Sequence, residues 1–148
     1  MRLSLAQRRR GQTAVQESSL TVTTLAAPSV SACSVVLTDN DHDAIRYFRS
    51  VFTKVHHTKN PDYSLFSIMF NIAQKDPMVM HMVISLGLKE MDFRRPYQQE
   101  QNPMQHYTSA LQLLAVAISP ENKSQDIDAI YTALWLMLLY EQQFGDPG

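Results

Sequence analysis

Two dipeptides, Asp76-Pro77 and Asn102-Pro103, constrain this chain more than any other feature, because each opens onto an apolar segment with helical spacing. The side-chain oxygen of Asp or Asn accepts a hydrogen bond from the free N–H groups of a first helical turn. Proline at the first helical position loses nothing, since its missing N–H would have been unpaired. The pairs therefore predict helices from Pro77 to about Met91 and from Pro103 to Ile118, the latter stopped by Ser119-Pro120.

Three further helices follow from the same logic. The first begins among Asp39, Asp41 and Asp43, whose carboxylates suit a helix N-terminus. It carries Ile45, Phe48, Phe52 and Val55 on one stripe before His56 and His57. Asn60-Pro61 interrupts the chain, and Asp62 or Ser64 caps a second helix bearing Leu65, Phe66, Met69, Phe70, Ile72 and Ala73. The last helix runs from about Ser124 to Phe144 and stops at Gly145 to Gly148.

Within the third helix Val79, Met82, Val83 and Leu86 are spaced for one face, and within the fourth Tyr107, Ala110, Leu111, Leu114 and Ile118. Gly87 inside the third helix costs about 1 kcal/mol relative to Ala, which points to close approach of a neighbouring helix there. No period-two alternation is sustained after Leu37, and the β-branched stretch from Leu20 to Thr24 is short and isolated. The expected fold class is all-α, about five helices packed as antiparallel hairpins.

Composition divides the chain. Residues 1–36 carry only Arg2, Arg8, Arg9, Arg10 and Glu17 as charges among Ser, Thr, Ala, Val and Gln, and read as a disordered tail. Its Arg-rich start also has the make-up of a mitochondrial transit peptide or a short nuclear-import patch. Residues 37–148 hold nine basic and thirteen acidic side chains and read as the helical domain. That slightly acidic body lacks the clustered Lys and Arg that phosphate binding needs, so sequence-specific DNA binding by this chain is not expected.

Cys33 is the only cysteine, which excludes an intrachain disulfide framework and any cysteine-based zinc cluster within these residues; an intracellular location is the default. The longest apolar run, Ala129 to Tyr140, is about 18 Å of helix against about 30 Å of bilayer core, too short to span a membrane.

Chemistry is sparse. Adjacent His56 and His57 face different directions on a helix and cannot chelate one metal. His81 and His106 lie on different helices in apolar surroundings, where they could meet, and read as structural histidines before ligands or general bases. Cys33 has no basic neighbour to activate it. There is no phosphate-binding glycine loop, no nucleophile elbow and no carboxylate pair on an apolar face. No catalytic, cofactor-binding or metal-ligating residue is expected, and the protein reads as a non-enzyme. Met78, Met80 and Met82 read as core filler before groove lining.

The fifth helix is apolar all round from Ala129 to Tyr140, with Ile130, Leu134, Met137 and Leu138 on one side and Trp135, Leu136 and Leu139 elsewhere. Helices of that kind are buried. Tyr131, Trp135, Leu136 and Leu139 are therefore the candidate interaction patch, for a protein partner or for self-association.

Three passages together resemble the fungal-specific transcription factor domain, the regulatory region that usually follows a zinc binuclear cluster. Asp76 to Gly87 resembles its "D-P-apolar-apolar" helix, Gln105 to Leu111 its "H-Y-x-x-A-L" helix, and Leu134 to Asp146 its long apolar helix ending "E-x-x-x-G-D". The resemblance covers Leu37 to Asp146. It implies an all-helical, nuclear, non-catalytic domain that contacts proteins rather than reading DNA. The chain lacks the cysteine cluster and stops where members of that family continue, so an incomplete fragment is expected. Ser119-Pro120 with Tyr107, Ala110 and Leu111 also resembles part of a tetratricopeptide repeat, but no second copy at that period is present. The alternatives are a free-standing helical interaction scaffold and an organelle-targeted helical protein, in the cytoplasm or mitochondrion.

Overall fold

The computed structural model describes residues 29–30, 34–52, 54, 63–94, 102–122 and 126–145. Among the described residues, five α-helices carry the fold: α1 (Asp39–Tyr47), α2 (Leu65–Ala73), α3 (Pro77–Arg94), α4 (Pro103–Ala117) and α5 (Ile127–Phe144). The fold is all-α, as expected. A two-residue antiparallel ladder, β1 (Ser29–Val30) with β2 (Val36–Leu37), precedes α1 and pairs Ser29 with Leu37 and Val30 with Val36. Val35 and Leu37 enter the core, so the packed region begins slightly ahead of the compositional boundary at residue 37. Most of the expected tail, together with Cys33, Val55, His56, His57 and Asp62, lies outside the described residues.

Each helix start is explained by a named oxygen. Thr38 and Asp41 form a reciprocal capping box: Thr38 N donates to Asp41 Oδ2 at 2.8 Å, and Asp41 N donates to Thr38 Oγ1 at 3.3 Å. Of the two candidate caps for α2, Ser64 holds the position, accepting from Ser67 N at 3.1 Å. Asp76 accepts from Val79 N, Asn102 from Met104 N and Asp126 from Ala129 N, at 3.0 to 3.1 Å.

The first helix does not continue as a regular α-helix past Tyr47. After Tyr47 the chain widens into a π-helical segment, Phe48–Phe52, which turns both phenylalanines into the core. Their rings stack at 4.9 Å between centroids, and both meet Phe66 of α2.

The centre of the molecule is α3, which packs against all four other helices. Its burial exceeds the single face expected from spacing: every residue from Met78 to Leu88 except His81 is buried, including Met78, Met80 and Met82. Gly87 is where α1 crosses it most closely, against the backbone of Ala44. On α4 the buried positions are Pro103, Ala110 and Leu114, with Tyr107 and Leu113 partly covered. Leu111 and Ile118, expected on that face, are exposed, because the stripe rotates toward the groove between α3 and α5.

Candidate functional site

The helix expected to need a further partner, α5, lies at the edge. It buries Ala129, Thr132, Ala133, Leu136, Met137 and Tyr140 and leaves its other side open. Tyr131 is 68% exposed and Trp135 38%, with Ile127, Leu134 and Leu138 also exposed between and beyond them. Leu139 is half-buried.

Leu136 departs from the expected patch. It is fully buried, because the helix turns its 129-132-133-136-140 stripe onto α2, α3 and α4. Leu134 and Leu138 take its place on the outside. The sequence concealed this: with apolar residues in all directions, hydropathy alone assigns no inner face. Trp135 is anchored at one edge of the patch by an edge-to-face contact with Phe66, 5.7 Å between centroids. On the neighbouring α2, Leu65 and Ile68 are exposed as well. The exposed row on α5 is the kind of apolar surface that monomeric proteins seldom leave large.

A second constellation lies on the opposite partners of α3. His81 and His106, which the sequence left as residues that could meet, do so: their Nδ1 atoms are 2.9 Å apart. Behind them, His106 Nε2 lies 3.2 Å from Oδ1 of Asp41, an ion-pair distance without the linear geometry of a hydrogen bond. Asp41 is 1% exposed, while both histidines are half-buried. Burial raises the Asp41 carboxyl, but the His106 ring and the Thr38 amide and hydroxyl outweigh that and hold it below the usual carboxylate value. Burial, then the neighbouring His106, hold His81 below the usual imidazole value against the pull of Asp41. Among the described residues no group of three or more His, Cys, Asp or Glu is arranged to hold a metal ion.

The α3–α4–α5 junction is polar at its heart. Buried Ser85 donates to the carbonyl of Pro103 at 2.9 Å, and the Tyr140 hydroxyl is bonded to Ser85. The Tyr107 ring meets that of Tyr140 in a tilted contact, 4.8 Å between centroids, and its hydroxyl donates to Glu141 Oε1 at 2.8 Å. Burial, then that carboxylate, push the Tyr107 phenol up to about 12.

A shallow hollow of about 440 Å³ between α1 and the end of α3 is lined by Arg46, Arg94, Tyr47 and Met91. Its guanidiniums face carboxylates, Arg46 with Asp43 and Arg94 with Glu90, each at 3.0 Å. No helix among the described residues is long and apolar enough to cross a membrane.

Compared with known proteins, residues 45–148 match the fungal specific transcription factor domain. No curated protein and no solved structure gives a significant match. The match spans the π-helical segment and helices α2 to α5, including the apolar face and both histidines.

Proposed function

Because the chain belongs to the fungal specific transcription factor domain family, we propose that it is a non-catalytic regulatory domain that acts on transcription in the nucleus by capturing a protein partner through the outer face of α5. The observation that carries this reading is the row Tyr131, Leu134, Trp135 and Leu138, open to solvent on α5. Aromatic and large aliphatic side chains on a pre-formed helix face are the usual anchors of protein interfaces, where they release ordered water at little conformational cost. The partner is a protein surface or a second copy of this chain. Direct reading of DNA is not part of the function: the domain's charge is slightly acidic, and no helix lines up several Lys or Arg for a groove.

The test fuses the full chain to an unrelated DNA-binding domain and reads a reporter gene. The fusion is expected to change reporter output relative to the DNA-binding domain alone, and Tyr131→Ser or Leu138→Ser to weaken that change while leaving the helical circular dichroism signal intact. Identical output from all three fusions refutes the reading. Nanomolar, sequence-selective DNA binding by the isolated chain in a gel shift at physiological salt would refute it equally.

A further inference from the structure

We propose that Asp41, His106 and His81 form a proton-counting clasp: the histidine pair accepts one proton with α3 and α4 joined, and a second proton drives the two helices apart. The geometry carries the inference. At 2.9 Å between Nδ1 atoms, one ring must donate and the other accept. With no added proton, Asp41 draws the His106 proton to Nε2, which leaves His106 Nδ1 as acceptor and His81 Nδ1–H as donor.

One added proton preserves the bond. Taken up at His81 Nε2, it leaves the single N–H between the two Nδ1 atoms in place; taken up at His106 Nδ1, it does so only as His81 moves its own proton to Nε2, and in either case the positive charge on the pair is balanced by the buried Asp41 carboxylate. A second added proton places N–H on both facing atoms. Two donors then point at each other across 2.9 Å, and two positive charges share one carboxylate in a half-buried site.

Among the described residues, the other ionisable groups lie away from the pair or face partners of their own. The groups that act on His81 are His106 from α4 and Asp41 from α1. The helix α2 carries no ionisable side chain, and α4 has only Tyr107 besides His106, its hydroxyl held by Glu141. On α5 the acids are Asp128 and Glu141, the latter on that same hydroxyl, with Tyr131 and Tyr140 as the phenols. On α1, Asp39 lies in the exposed first turn and Asp43 pairs with Arg46. His42 follows Asp41 about 100° round the helix. On α3, Asp76 caps the helix through Val79, and Lys89, Glu90, Asp92 and Arg94 lie two or more turns beyond His81.

Release would act where the helices are tied. The clasp and the Ser85–Pro103 hydrogen bond both hold the first turns of α4 to α3, so opening the clasp loosens α4 from its N-terminal end. This inference does not depend on what the face of α5 binds.

The test uses the full chain with its histidines labelled for NMR and titrated from about pH 8 to about pH 5. Proton uptake by the hydrogen-bonded pair is expected to come in two separated steps, with His81 held below the ordinary histidine range. Hydrogen exchange of the α4 amides should accelerate at least about tenfold across the second step, relative to exchange on α5 and after correction for the intrinsic pH effect. In His81→Gln, whose amide still donates to His106 but cannot take a proton, the second step and the acceleration should both vanish. Two rings titrating independently at one ordinary midpoint in the native chain overturn the proposal without any variant. So does α4 exchange that ignores the second step, or an acceleration that persists in His81→Gln.

Discussion

A Cβ on residue 87 would stand 2.8 Å from the carbonyl carbon of Ala44, and closer still to its oxygen. Both partners are backbone-bound, one on α3 and one on α1, so neither can swing away as a flexible side chain would. The glycine that weakens α3 by about 1 kcal/mol as a helix former is thus what lets α1 lie against the central helix. Gly87→Ala is expected to lower stability by about 3 kcal/mol in urea unfolding, against the gain that Ala usually brings to a helix interior. An exposed control on α4, Gln112→Ala, should stay within about 0.5 kcal/mol of the parent.

Neighbouring leucines of α5 should separate packing from binding. Leu136→Ala removes a fully buried side chain and should cost about 3 kcal/mol. Leu138→Ala, two residues on and largely open, should change stability by no more than about 0.5 kcal/mol. It should instead reduce concentration-dependent sedimentation and the fluorescence of a dye that reports exposed apolar surface. Equal stability losses at the two positions would mean that the outer face of α5 is not open.

The Tyr107 phenol, pushed up to about 12, makes an alkaline prediction. A group whose folded value is raised contributes stability that is complete below its unfolded value, about 10, and is lost as pH rises through the folded value. Ultraviolet absorbance should therefore show one tyrosine ionising near pH 12, absent in Tyr107→Phe. The variant's stability should also fall less steeply than the parent's above about pH 10.

At low pH the groups of the clasp act in the same direction as one another. Asp41 and His81 are both held below their ordinary values. Each therefore favours the fold at neutral pH and opposes it on acidification, His81 from about pH 6.5 downward and Asp41 only below its ordinary range near 3.8. The melting temperature should begin to decline below about pH 6.5, and His81→Gln should remove that first decline while the acid-limb loss from Asp41 remains.

Helix capping gives a prediction that is purely local. Asp126→Ala should cost about 1 kcal/mol by leaving the Ala129 amide without its side-chain acceptor, whereas Asp126→Asn, which keeps an oxygen in place, should cost almost nothing.

The helix starts were legible because they depend on residues within four positions of one another. Asp76-Pro77 and Asn102-Pro103 act through hydrogen bonds that local sequence specifies, and the structure places both as read, while Ser64 is the one of two candidate caps that the structure selects. The close approach at Gly87 was legible as well, since only a neighbour explains a glycine amid apolar helix formers. The π-helical segment at Phe48–Phe52 was not, because its spacing of apolar residues differs little from that of an α-helix. The ladder of β1 and β2 is too short for alternation to register.

By itself, then, the sequence determined the fold class and where most of the described helices begin, all properties of short windows. Only the tertiary structure decided which helix is central and which lies at the edge. Both α3 and α5 are apolar through their middle, yet α3 is enclosed from Met78 to Leu88 while α5 keeps Tyr131, Leu134 and Leu138 outside. It also decided that His106, twenty-five residues from His81, would close on it with Asp41 behind. The physical reason is the same in both cases. Hydropathy records whether a side chain favours leaving water, whereas its neighbours are fixed by how whole helices pack, and that depends on contacts between residues far apart in the chain.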